Sequence, residues 1–352
     1  MKRHTVFLIL TFMAVAVIFP GTPARAHELV RTVIASPDPS PEPNPLVSGQ
    51  NLLDALASIP PLPERWLLKI EPGVYELGCT SLVLRDLVDV EGSGRGVTTI
   101  RSSAEGCTEP VVLCEADVET EIRELTILNQ QSDGGSRDTV KSNSDGLVVS
   151  RVNIEIHEPA PGGTGFRSFK RSRLKDVGVS IHAGGLGLEV GNGSILRDVR
   201  IEITAVGGGV SGMAVPSGDI DRATVSISGS ASVALGIITS GNLRISNSTI
   251  DVSADSSCGV VDWFGGAGRE IRLSHSEVRA TGTDGRGILV GYLDLTVEGS
   301  KIEGTTSSIG SQAGTVRVGA SRLVNPILNQ GGTFTCVSSY DENFQELSGT
   351  CE

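Results

Sequence analysis

The sequence predicts a β-solenoid, an all-β coil of short parallel strands, and three observations predict it. A short apolar motif returns nine times between residues 125 and 323, at separations of 27, 25, 22, 24, 25, 28, 24 and 21 residues. Within each copy apolar and polar residues alternate, the period of a strand with one buried face. Glycine accounts for 44 of the 352 residues, nearly twice the usual ~7%, and much of it punctuates the repeat.

The copies begin with Leu125-Thr126-Ile127, Val152-Asn153-Ile154 and Val177-Gly178-Val179. They continue with Val199-Arg200-Ile201, Ala223-Thr224-Val225 and Ser248-Thr249-Ile250, and end with Ser276-Glu277-Val278, Ser300-Lys301-Ile302 and Ser321-Arg322-Leu323. The third position is always Ile, Val or Leu. A second motif lies between the copies, glycine followed by apolar residues, as in Gly187-Leu188, Gly212-Met213, Gly236-Ile237, Gly259-Val260 and Gly287-Ile288. Stacking such coils ~4.8 Å apart buries aligned aliphatic ladders. Glycine is expected at positive-φ corners between strands. A helical solenoid is excluded, because the segments are short, β-branched and too often broken by glycine. The fold class read from the repeat is a parallel β-helix.

From the N-terminus, Lys2, Arg3 and His4 precede an apolar run over Thr5 to Phe19, and Ala24-Arg25-Ala26 fits a small-x-small cleavage site. Residues 1–26 therefore read as a signal peptide. Its removal takes away three basic residues and no acidic ones, making a net charge of -12 three units more negative. No later stretch approaches the ~18 apolar residues of a membrane span. Residues 27–48 read as a Pro-rich linker, with proline at alternate positions from Pro37 to Pro45. Residues 49–352 are then the solenoid domain. Asn51 to Ser58 has helical apolar spacing with Asn51 as the expected cap, and a helix there would cover the open end of the first coil. Leu67-Leu68-Lys69-Ile70, Gly73-Val74-Tyr75, Leu82-Val83-Leu84 and Val88-Asp89-Val90 follow as short strands.

An exported chain permits disulfides. Six cysteines allow fifteen full pairings. Cys107 and Cys114 are the candidates for a local loop clip, and Cys336 and Cys351 for a staple on the terminus. Cys79 and Cys258 read as lone buried thiols. Without a Cys-x-x-Cys pair or a histidine cluster, no zinc site is expected. The acidic balance, 41 Asp plus Glu against 29 Lys plus Arg, excludes the basic footprint of a nucleic-acid binder.

Lys69-Ile70-Glu71-Pro72-Gly73-Val74-Tyr75-Glu76, then Val90-Glu91-Gly92-Ser93-Gly94 and Thr98-Thr99-Ile100, resembles the opening of pectin-lyase-like right-handed parallel β-helices. Pectin methylesterases begin in a similar way. The end, Gly332-Thr333-Phe334-Thr335-Cys336 with Tyr340 to Phe344 and Cys351, is similar to that of secreted bacterial β-helix repeat proteins. The resemblance spans residues 50 to 352 as architecture and implies no single activity, since the fold hosts lyases, hydrolases, esterases and non-enzymes.

Motifs for chemistry are incomplete. Asn143-Ser144-Asp145-Gly146 resembles one polygalacturonase motif, but the adjacent aspartates, Gly-His-Gly and Arg-Ile-Lys are missing, and the segment is a good turn. Gly259-Val260-Val261-Asp262-Trp263-Phe264-Gly265-Gly266 resembles the nucleophile segment of pectin methylesterases without the Gln-Asp-Thr-Leu segment expected before it. Calcium enters only through a pectate-lyase reading, in which stacked carboxylates hold the ion. Glu155, Glu202, Asp251, Glu277 and Glu303, with Arg200 and Arg279 among them, read instead as a solvated charged face. His157, His182 and His275 read as isolated. No other cofactor is implied.

Aromatic side chains beside carboxylates and arginine suit sugar stacking. Asp262, Trp263, Phe264, Arg269, Asp284, Arg286 and Tyr292 are accordingly the candidate ligand-binding residues. The expected protein is a secreted or cell-envelope β-helix, in the medium or the periplasm, serving as a structural or interaction module with a polysaccharide or surface glycan as partner. The alternative is a polysaccharide-active enzyme of the lyase, hydrolase or esterase type. An enzyme needs a cleft where carboxylates and arginine converge on successive coils; a scaffold does not.

Overall fold

A computed structural model describes residues 31–61, 64–116, 120–130, 138–157, 163–182, 184–262 and 268–351. The signal-peptide segment 1–26 lies outside them. Residues 31–351 form a parallel β-helix. Each coil carries three strand faces. The first two share a 20-stranded sheet, and the third is an 11-stranded sheet. In the coil built from Leu147–Ile156 and Thr164–Ser168, residues 147–150 lie on the first face, 152–156 on the second and 164–168 on the third. The chain turns between the first two faces on Arg151, at φ 52°.

The nine motif copies are the second-face strands, and their third positions form one ladder. Ile127, Ile154, Val179, Ile201, Val225, Ile250, Val278, Ile302 and Leu323 are register partners on successive coils, and all are buried. Val140, Phe166, Leu188, Met213, Ile237, Val260, Ile288 and Ile309 form the facing ladder on the third face. Full burial of one such aliphatic side chain contributes about 1.5–3 kcal/mol, repeated at each coil.

The corners depart from the expected glycine pattern. The turn from first to second face is made by Glu124, Arg151, Asp176, Asp198, Arg222, Asn247 and His275, with φ between 48° and 58°. Gly299 and Ala320 continue the column. The motif glycines do something else. A Cβ on Gly212 would lie 2.5 Å from the Gly236 carbonyl oxygen and 2.5 Å from Val225, and Gly187, Gly236, Gly259 and Gly287 are equally tight. They form an inward column that lets the second and third faces close on each other. Glycine does take left-handed corners elsewhere, as at Gly146 (φ 89°) and Gly193 (φ 74°).

Serine fills the first motif position in the later coils. The backbone N–H of Ser248 donates to the Ser276 hydroxyl, that of Ser276 to Ser300, and that of Ser300 to Ser321, each at 3.1 Å. Each of these later hydroxyls donates to a carbonyl of its own coil, Ser276 to Ser274 O and Ser300 to Glu298 O. The ladder thus satisfies buried donors where the corner interrupts strand pairing.

The front of the domain starts earlier than expected. Arg31–Ala35 is a strand paired in parallel with Trp66–Ile70, so residues 31–48 belong to the fold and are no linker. The helix runs over Pro45–Ser58, capped by Asn44, whose side chain accepts from Leu46 N–H. Asn44-Pro45 carried the start signal, a capping side chain followed by proline at the first helical position. The helix buries Leu52 and Leu56. Gly49 packs so closely that a Cβ would meet the Glu76 carbonyl oxygen at 1.9 Å. Among the described residues no helix is long and apolar enough to cross a membrane.

Cys336–Cys351 forms as expected. The clip between Cys107 and Cys114 does not. Cys107 pairs with Cys79, with Cα atoms 5.0 Å apart. The two sit 28 residues apart, about one coil, on neighbouring corners. Cys114 points into the core from the strand Val112–Cys114 and contacts the Ser144 hydroxyl at 3.2 Å. Cys258 is a free buried thiol, as read; Cys79 is not.

Candidate functional site

A groove of about 910 Å³ runs along the outside of the first face. It arises from strands of alternating polar and apolar residues: Gly218–Asp221, Leu243–Ser246, Glu270–Ser274, Asp294–Glu298 and Thr315–Gly319. Their apolar residues Ile220, Ile245, Leu273, Val297 and Val318 are buried, which forces the residues between them outward. Register then stacks these residues across coils. One row is Asp219, Arg244, Arg272, Thr296 and Arg317; the next is Arg197, Asp221, Ser246, Ser274 and Glu298. Neighbours in a row are ~4.8 Å apart.

The charges in the groove differ in how they are held. Glu270 accepts from Arg272 Nε at 2.7 Å and from the Thr296 hydroxyl at 2.7 Å. Partial burial pushes its carboxyl up, but these bonds, with the charges of Arg272 and Arg317, outweigh burial and hold it below its ordinary value. Asp221 is also lowered, chiefly by the Asn247 amide at 2.8 Å, against slight desolvation and with help from Ser246. Arg197, Arg244 and Arg317 make no salt bridge among the described residues and are exposed. The groove therefore offers three uncommitted guanidinium groups among hydroxyls and carboxylates.

The residues singled out from the sequence fall into two places. Asp262, Arg269 and Tyr292 stand at the corner between the third and first faces, and Arg269 lies between Gly268 and Glu270, which line a recess of the groove with Asn242. Asp262 is buried. Its Oδ2 accepts from the backbone N–H of Gly291 at 3.2 Å and Tyr292 at 3.3 Å, tying one coil to the next. Tyr292 is exposed. Asp284 and Arg286 pair at 3.2 Å at the other end of the third-face strands. Because Asp284 is in register with Ser256, it lies roughly 20 Å from the Asp262 end at 3.3 Å per residue. Trp263 and Phe264 lie outside the described residues.

The other candidates resolve into ordinary structure. Asn143–Gly146 is a turn, with Asp145 near Arg171 at 3.6 Å. On the second face Glu277 pairs with Lys301 at 2.8 Å and Arg279 with Glu303 at 3.5 Å, an alternating surface. His157 and His182 are not isolated: coil stacking puts their rings 5.4 Å apart, edge to face, with Glu155 3.1 Å from His157. Among the described residues no group of three or more His, Cys, Asp or Glu is placed to hold a metal ion.

Sequence reading missed the groove residues Asp219, Arg244, Arg272 and Arg317. Their signal was present as Leu243-Arg244-Ile245, Ile271-Arg272-Leu273 and Val316-Arg317-Val318, a third strand motif in each coil. It was weaker than the other two because no glycine or fixed apolar position announces it.

The parallel β-helix fold is shared with solved structures. The chain is similar to the A-module of the Azotobacter vinelandii mannuronan C-5 epimerase AlgE4, at TM-score 0.50 and 14% identity over 87% of this chain and 88% of that one. It is also similar to the AlgE6 A-module of the same organism, at TM-score 0.44 and 16% identity over 86% of each chain. Carrot pectin methylesterase matches at TM-score 0.31 and 10% identity over 89% of this chain and 90% of that one. No family model matches the sequence, and no curated relative matches it.

Proposed function

We propose that this is an exported glycan-binding module whose first-face groove takes an acidic polysaccharide of the polyuronate class. The observation that carries the reading is the set Arg197, Arg244 and Arg317, exposed and without a salt bridge among the described residues, in one groove where Arg244 and Arg317 share a row and Arg197 stands in the next. Guanidinium groups recognise carboxylates in paired, planar geometry. Ser246, Ser274, Thr296, Asp219 and Glu298 offer partners for sugar hydroxyls. The two disulfides and the leader pattern support export. The likeness to a mannuronan epimerase module supports a polysaccharide partner.

Asp221 and Glu270 are held below their ordinary values by hydrogen bonds within the groove, Asp221 from Asn247 and Glu270 from Thr296 and Arg272, and so present fixed negative charge beside the arginines. The second reading, a polysaccharide-active enzyme, has in its favour the convergence of carboxylates and arginines on successive coils. Calorimetry with oligouronates and neutral oligosaccharides of equal length tests the first. Wild type should bind only the oligouronates, and Arg244→Ala with Arg317→Ala should weaken binding at least tenfold. Equal binding of neutral sugars, or no loss in the double variant, would overturn it. Turnover of pectins or other uronates, with or without Ca²⁺, would establish the enzyme reading instead.

A further inference from the structure

The groove changes character at its C-terminal end. The row that reads Arg197, Asp221, Ser246, Ser274 and Glu298 ends in Gly319 and Val337. Val337 stands outward on the last first-face strand, Thr333–Val337, and is 63% exposed. An outward valine on a terminal strand is a liability that proteins usually avoid. Gly319 beside it has open space where a Cβ would be. Together with Ala320 they shape a recess of about 410 Å³ that shares Thr296, Glu298 and Arg317 with the main groove. The recess is thus continuous with the charged lane and has a single cation, Arg317, at their junction.

From this placement we infer that the C-terminal end of the groove selects an O-acylated uronate residue, with the acyl methyl group over Gly319 against Val337. The inference rests on the acidic-glycan reading of the same groove. Arg317 and Gly319 are two positions apart on one strand, about 6.6 Å at 3.3 Å per residue. Arg317 can therefore hold a carboxylate while a substituent elsewhere on the same sugar reaches the recess. An O-acetyl group keeps the carboxylate free and adds an apolar methyl. A methyl ester neutralises the carboxylate and loses the Arg317 contact, so it does not fit both features.

The test uses three oligouronates of equal length, one unsubstituted, one O-acetylated and one methyl-esterified, titrated calorimetrically into the full chain. The O-acetylated probe should bind about fourfold more tightly than the unsubstituted one, the gain expected from burying one methyl group, and the methyl ester should bind most weakly. Val337→Ser and Gly319→Val change exposed or open positions and should melt like wild type. Both should abolish the preference while leaving affinity for the unsubstituted probe unchanged. Equal or weaker binding of the O-acetylated probe by wild type, or a preference retained in both folded variants, would overturn the inference and leave the acidic-glycan reading standing. Failure of all three probes to bind wild type would overturn both.

Discussion

Gly236 and Ile250 meet with no room for a methyl group between them: a Cβ on Gly236 would lie 2.6 Å from Ile250 Cγ2 and 2.3 Å from the Gly259 carbonyl oxygen. Neither neighbour can yield, since one belongs to the core ladder and the other is backbone of the next coil. Gly236→Ala should therefore destabilise the fold by about 1–3 kcal/mol through overpacking. Gly209, whose Cβ position is open, is the control, and Gly209→Ala should be neutral or slightly stabilising. Thermal melting of the two variants beside wild type checks this; equal melting temperatures would refute the close-packed column.

Cys258 is fully enclosed, and burial pushes its thiol up to about 12. Burial also raises Cys114, against hydrogen bonds that include the Ser144 contact. Since the thiolate is the reactive form, neither should be alkylated in the folded protein at pH 8, and both should react after unfolding without reductant. Peptide mapping of the alkylated sites also tests the pairing. A bridge between Cys107 and Cys114 would leave the exposed Cys79 labelled rapidly in the native state, and rapid native labelling of Cys79 would contradict the bridge to Cys107.

Glu270 is held below its ordinary value of 4.5. A carboxyl depressed by folding contributes stability that is present above its unfolded value and is lost as pH falls through the lower folded one. Glu270→Gln should cost under about 1 kcal/mol at pH 7, because the Arg272 pair is partly exposed. The difference from wild type should shrink as pH falls below the ordinary glutamate range. Melting curves between pH 7 and 3 measure it. A difference that grew on acidification would have the wrong sign.

Between residues 125 and 323 two of the three faces of each coil were legible in the sequence, and the first face was not. Ile127, Ile154 and their successors repeat with one residue class at one position, and Gly212, Gly236 and Gly259 mark the facing strands. Both patterns follow from core packing, which tolerates few alternatives. The first face carries the groove, and outward residues such as Asp219, Arg244 and Thr296 obey no packing rule, so they do not repeat. Asp262 was prominent because its segment resembles an esterase nucleophile segment and has aromatic neighbours, yet its carboxylate accepts from the backbone N–H of Gly291 and Tyr292. The Cys79 bridge was hidden because coil pitch, not sequence distance, brings Cys107 to it. The left-handed corners were equally hidden: Glu124, Arg151, Asp198 and His275 share a backbone conformation and no side-chain chemistry.

The serine, glycine and aliphatic columns link each coil to its neighbours in the same way, so one coil can in principle be removed or duplicated while the rest keep their contacts. Such an event would leave the fold intact and move Arg317 along the groove relative to Arg244 by a whole strand spacing. Lineages of this architecture could thus retune the spacing of their surface charges in discrete steps of genetic duplication rather than by remodelling loops.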